Sequence, residues 1–171
     1  MLSEKLLEEL NKQIKYELES AHYYVAMEAY FDSNDLPGFA NFFKVQAEEE
    51  RFHAQKFYDF VYEMDADVEI TPLELVGKDF ESNVDVFRKA LEHEKFVTSR
   101  IYELMEIAED EKEYATQSML KWFIDEQVEE ENTMKDMIVK LERVKDNANG
   151  LYMLDKELAG RTFTPPAPES E

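Results

Sequence analysis

The most constraining feature of this chain is how rarely it can break a helix. It has 171 residues but only four Gly and five Pro, and three of the prolines fall in the last seven residues. The breakers it does have are grouped. Asp32-Ser33-Asn34-Asp35-Leu36-Pro37-Gly38 is a turn cluster, Thr71-Pro72 and Gly77 mark a second break, and Asn147-Ala148-Asn149-Gly150 mark a third. A charged stretch, Glu109-Asp110-Glu111-Lys112-Glu113, is the remaining expected connection, although it contains neither Gly nor Pro. Between these points lie four long segments, then a short one near 150–159 and a Pro-rich tail, Pro165-Pro166-Ala167-Pro168, expected to be flexible.

Each long segment carries alternating 3-and-4 spacing, the pattern of a helix with one buried stripe. The first stripe reads Leu7, Leu10, Ile14, Glu17, Ala21, Tyr24, and the second Phe39, Phe43, Gln46, Glu50, His53, Phe57, Phe60, Met64. The third reads Val84, Phe87, Leu91, Glu94, Thr98, Ile101, Met105, Ala108, and the fourth Leu120, Phe123, Gln127, Glu130, Met134, Met137, Leu141, Val144. Strand-like alternation is weak and confined to Val68–Ile70, so the chain is expected to be all-α. Short links join segments one to two and three to four, which makes each pair an antiparallel hairpin. About 15 residues, Asp65 to Phe80, separate segments two and three. Extended, that link reaches about 50 Å, enough to run the roughly 40 Å length of a helix of that size. Segments two and three are then parallel, giving a four-helix bundle with one long crossover, the ferritin-like arrangement.

The stripes fail to be apolar at matching levels. Glu17, Glu50 with His53, Glu94, and Gln127 with Glu130 each lie near the middle of their segments, so aligned helices bring all six into one layer. A single mid-stripe Glu is ordinarily a phase error or an ion-paired residue. Four carboxylates in one low-dielectric layer repel one another, and each costs several kcal/mol to desolvate unpaired. The stripes offer no Lys or Arg at that level. Two divalent cations would neutralise the layer, and one mid-bundle Glu from each of two helices plus Glu-x-x-His motifs from the others is the di-iron or di-manganese carboxylate design.

Composition narrows the chemistry further. Without cysteine, thiolate metal sites, Fe–S clusters and disulfides are excluded. Carboxylates with one imidazole suit Fe, Mn or Mg rather than Cu(I) or structural Zn. Forty acidic residues against 19 basic ones give a net charge of −21, which speaks against nucleic acid or an anionic membrane as partner and in favour of cations. The charged start, Met1-Leu2-Ser3-Glu4-Lys5, argues against a signal peptide, and a cytoplasmic protein is expected.

Along roughly residues 1–160 the chain resembles bacterial non-haem ferritins, with 161–171 left as tail. The resemblance is carried by Ala47-Glu48-Glu49-Glu50-Arg51-Phe52-His53, by Glu17, Glu94, Gln127 and Glu130, and by Tyr24 at the family's site tyrosine. It implies that Glu17, Glu50 and His53 bind one iron and Glu50, Glu94 and Glu130 a second, with Gln127 close by. Glu49, Glu126 and Glu129 match positions that bind a third iron together with Glu130. It further implies Fe(II) oxidation by O2 or H2O2, ferric mineral storage, a homo-oligomeric shell of twenty-four subunits, and a fifth helix from Leu151, Leu154 and Leu158 at its four-fold contacts. No haem is implied, since Phe52 stands where bacterioferritins carry methionine. Those proteins and rubrerythrins repeat Glu-x-x-His on the last helix, where this chain has Gln127-Val128-Glu129-Glu130. A rubrerythrin-like or other di-iron oxidase or peroxidase in a small oligomer is the alternative, and a non-catalytic metal-binding bundle is a third possibility. His22 and His93 fall off the stripes and are expected to be exposed. Trp122 is expected to pack in the core or at an interface, with electron donation as its other possible role.

Overall fold

In the computed structural model, residues 1–74, 77 and 79–165 are described. They form five helices, α1 (Glu4–Ser33), α2 (Pro37–Glu63), α3 (Asn83–Asp110), α4 (Tyr114–Val144) and α5 (Ala148–Leu158), and no strand among the described residues. Val68–Ile70 accordingly run without strand pairing. Four helices open on a polar side chain that satisfies an otherwise orphaned amide. The Ser3 and Ser82 hydroxyls accept from the Leu6 and Asp85 amides, the Glu113 carboxylate accepts from Thr116 N, and the Asn147 amide oxygen accepts from Gly150 N. The connection between α3 and α4 closes without glycine because Lys112 itself adopts φ 56°, in the left-handed region.

Contacts along α1 establish the topology. The crossover climbs beside it: Glu69 N donates to Asn11 Oδ1 (2.8 Å), Glu74 N to Glu19 Oε1 (2.9 Å), and the Phe80 ring packs on Tyr23 and Tyr30. It therefore starts at the end of the bundle where α1 begins and delivers the start of α3 to the end where α1 finishes. There Phe87 meets Phe31, Phe39 and Phe43. α2 and α3 are parallel, as the length of the link requires.

Two apolar clusters fill the bundle. One holds Met27, Phe31, Phe39, Phe43, Phe87 and Met134; the other holds Leu10, Ile14, Phe57, Ile101, Leu104 and Phe123. The polar layer lies between them. α3 departs from its expected stripe: Phe87, Glu94, Ile101 and Ala108 are buried, but the flank turned inward is Ala90, Val97 and Leu104 rather than Leu91, Thr98 and Met105. The smaller Ala90 and Val97 sit where α3 meets its neighbours, and the larger Leu91 and Met105 cover the margin.

α5 returns to the start of α2 and completes it. Leu36, the residue before α2, provides no side-chain cap, and the Asp155 carboxylate accepts from both Gly38 N (2.8 Å) and Phe39 N (3.1 Å). A negative group at this position also suits the helix dipole. The approach is so close that a Cβ on Gly38 would stand 1.6 Å from the Asp155 carbonyl oxygen. Asp155→Ala is expected to speed amide exchange at Gly38 and Phe39 about tenfold, the usual worth of a helix cap, while Asp155→Asn, which keeps an acceptor, changes it little. Hydrogen exchange read by mass spectrometry checks this.

Candidate metal centre

Glu17 (α1), Glu50 and His53 (α2), Glu94 (α3), and Gln127 and Glu130 (α4) are all buried in the layer between the two apolar clusters, none more than 7% exposed. All six expected positions converge. Glu17, Glu50 and His53 each present one ligand atom within 4.8 Å of the others. His53 Nδ1 lies 3.4 Å from Glu50 Oε2 and 4.0 Å from Glu17 Oε2. Among the described residues no Lys or Arg pairs with any of the four carboxylates, and Glu17 Oε2 is buried without a hydrogen-bond partner. Such an oxygen is costly unless something else binds it.

Carboxylate oxygens of Glu17, Glu94 and Glu130 are held by amide and hydroxyl donors. Gln13 Nε2 donates to Glu17 Oε1 (2.8 Å) and Gln46 Nε2 to Glu130 Oε2 (2.7 Å). The Tyr24 hydroxyl donates to Glu94 Oε1, and Gln127 Nε2 donates to Glu94 Oε2 (3.1 Å) and to its backbone carbonyl (3.2 Å). Gln13 and Gln46 were missed as site residues in the sequence. Gln46 was on the stripe and Gln13 lies one turn before Glu17, but spacing does not reveal which carboxylate an amide meets. These donors fix carboxylate orientation as outer partners do around metal ligands.

The electrostatics match. Burial, reinforced by like charges, lifts Glu17 and Glu50 well above the usual carboxylate range. Burial raises Glu94 to about 7, against the opposing pull of the Tyr24 and Gln127 hydrogen bonds, and raises Glu130 to about 8. Tyr24 is likewise pushed up by burial and by the Glu94 charge. No Lys or Arg among the described residues offsets these charges, so burial favours the protonated carboxyls.

The remaining positions lie outside this layer. Glu49 and Glu126 are half-buried and border, with His53, a cavity of about 300 Å3. Glu129 is exposed and does not line that cavity. Trp122 is half-buried, its ring 5.5 Å from that of His53, with Lys56 Nζ 4.8 Å from its centre. His22 is exposed as expected, but His93 is not. His93 packs at the α1–α3 seam, its Nε2 2.7 Å from Ser20 Oγ and its ring on Tyr23. The Ser20 hydroxyl donates to Tyr16 O, so His93 is the donor to Ser20. Burial lowers its pKa to about 4. The stripe placed it correctly off the centre but did not show that α1 and α3 close over their shared margin.

The sequence and the fold agree with known proteins. The family model for the ferritin-like domain matches residues 7–144. The bacterial non-heme ferritin of Staphylococcus aureus (strain USA300) is 48% identical over 163 residues, covering 95% of this chain and 98% of that protein. Its counterpart in Staphylococcus haemolyticus is 47% identical over the same shares. Among solved structures, an engineered closed form of the Archaeoglobus fulgidus ferritin superposes with a TM-score of 0.94 at 44% identity, covering 96% of this chain and all of that one. The open-pore ferritin of the same archaeon gives 0.93 at 42% identity over 95% of this chain. On this sequence and structural agreement, the chain belongs to the ferritin family.

Proposed function

We propose that this protein stores iron as a homo-oligomeric shell and oxidises Fe(II) at the centre built by Glu17, Glu50, His53, Glu94 and Glu130. Iron storage follows from family membership; the oxidation chemistry is read from the site. The observation that carries it is the unpartnered, buried Glu17 Oε2 beside Glu50 and His53. That oxygen and the His53 imidazole favour a cation, and Glu50 can share its two oxygens between a first position at Glu17 and His53 and a second at Glu94 and Glu130.

In this scheme two Fe(II) ions replace the protons that the raised carboxyls hold. Each gives one electron to the oxidant: O2 takes two electrons and two protons to become H2O2, or H2O2 takes two of each to become two waters. Mostly anionic oxygen ligands favour Fe(III) over Fe(II). Gln13, Gln46, Gln127 and Tyr24 hold the carboxylates in place, so little reorganisation accompanies the change in charge. Glu50, Glu94 and Glu130 hold the second ion without a second Glu-x-x-His, which suits onward passage rather than permanent retention. Glu49, Glu126 and Glu129 would receive a third ion outside the centre. The acidic surface offers cation-attracting walls to a mineral core, and α5 supplies contacts for a shell of twenty-four subunits. A cytoplasmic location is part of the same proposal.

The test combines particle mass with iron content after Fe(II) is added in air, followed by near-ultraviolet absorbance. The expected result is a large shell holding far more iron than its side chains can ligate. A small oligomer that keeps only a few ions per subunit would refute storage and favour the rubrerythrin-like alternative.

A further inference from the structure

α1 lies against α2 and α3, and α3 against α4, while α2 and α4 meet through side chains such as Gln46 with Glu130 and Phe57 with Phe123. Along the margin of this α2–α4 seam the chain lays its own C-terminal segment. Beyond α5, Asn41 Nδ2 donates to the Leu158 (3.0 Å) and Arg161 (2.9 Å) carbonyls, and the Phe163 ring packs on Phe52. Thr162 and Thr164 join Glu49, His53, Trp122 and Glu126 around the cavity of about 300 Å3. The Arg161 guanidinium is fixed at three points: Nη2 on Glu49 Oε2 (2.9 Å), Nη1 on the Phe42 carbonyl (3.3 Å), and Cζ over the Phe42 ring (4.4 Å from its centre).

We propose that Arg161 is a tethered cation that occupies the metal position at Glu49, so that a third divalent ion binds there only by displacing the guanidinium. The inference rests on the function proposed above and concerns how a cation leaves the centre. Glu49 and Glu126 line the same cavity beside His53, so an ion there meets two carboxylates. With Arg161 in place one of the two is already neutralised, and because the guanidinium is intramolecular its effective concentration is high. Its fork and planar stacking give it a geometry a free ammonium would lack. The third position is thereby kept weak, a place an ion passes through rather than settles. Arg161 acts through Glu49 and is a positioning residue, not a catalytic one.

The test is equilibrium binding on the assembled, full-length protein, titrating Zn2+ and, without oxygen, Fe2+ in a calorimeter. The wild type is expected to bind two ions per subunit at the centre and a third more weakly than either. Arg161→Gln is expected to strengthen the third by tenfold or more and to leave the first two unchanged. Adding Glu49→Gln should abolish that gain. Arg161→Lys, which keeps the charge but not the fork, should gain less than Arg161→Gln. A change under twofold in Arg161→Gln, an equal gain in Arg161→Lys, or a gain that persists with Glu49→Gln overturns the proposal. If Glu50→Ala leaves all binding unchanged, the centre itself is misassigned. If only the third ion ignores Arg161, the centre stands and this inference alone fails.

Discussion

Replacing Glu50 and His53 together by alanine is expected to slow the initial oxidation of Fe(II) in air by about a hundredfold while leaving particle mass unchanged. In the proposed scheme Glu50 serves both metal positions, and His53 lies with Glu17 and Glu50 at the first. Without them Glu17 is left as a single ligand on one side, and Glu94 and Glu130 must hold an ion without the bridge. Paired Fe(II) ions are then not held close enough to deliver two electrons together. The fold should survive, because removing the Glu50 charge, which repels Glu17, Glu94 and Glu130, offsets the ring contacts that His53 makes with Trp122 and Phe123. An initial rate within twofold of the wild type would show that oxidation occurs elsewhere, on mineral or at the surface.

The layer was legible in the sequence because four stripes failed at one level, and only chain folding at that level makes such failures expensive. The crossover was legible through length alone, since roughly 15 residues reach the far end of the bundle and a tight turn would not use them. What stayed hidden involves partners distant in sequence. Asp155 caps α2 across 117 residues, and Arg161 meets Glu49 across 112. Neither pair shares a helix face, so periodicity is silent about both. The tail shows the same limit: 161–171 reads as Pro-rich and loose, yet Arg161–Thr164 lie against α2, while residues 166–171 fall outside those described. His93 was misplaced for a related reason. A stripe marks the centre of the buried face, and the closeness of α1 to α3 decides how far burial extends beyond it. The α3–α4 link was visible as a run of charge, but nothing in Lys112 announces a left-handed residue.

Metal-free protein is expected to lose thermal stability as pH rises from 6 to about 8.5, and loading with a redox-inert divalent ion is expected to reverse that trend. Burial raises Glu94 to about 7 and Glu130 to about 8, with Glu17 and Glu50 also raised. Between the ordinary carboxylate range and those values the folded chain binds more protons than the unfolded chain, so the unfolding free energy falls as pH increases. The stabilising contribution of each raised carboxyl is complete at pH values below its unfolded pKa and is lost as pH passes its folded one. Across the window the loss is a few kcal/mol, read as a fall of roughly 5–10 °C in the unfolding temperature at fixed scan rate. Zn2+ replaces the protons at the same oxygens, and because the ligands must be deprotonated to bind it, its affinity rises with pH. Glu94→Gln with Glu130→Gln supplies the control. With both sites uncharged, the metal-free slope should flatten, and stability at pH 8 should exceed that of the wild type, because two buried like charges are gone. If the metal-free wild type instead gains stability over that window, the layer is not holding protons, and the case that a cation belongs there loses its electrostatic basis.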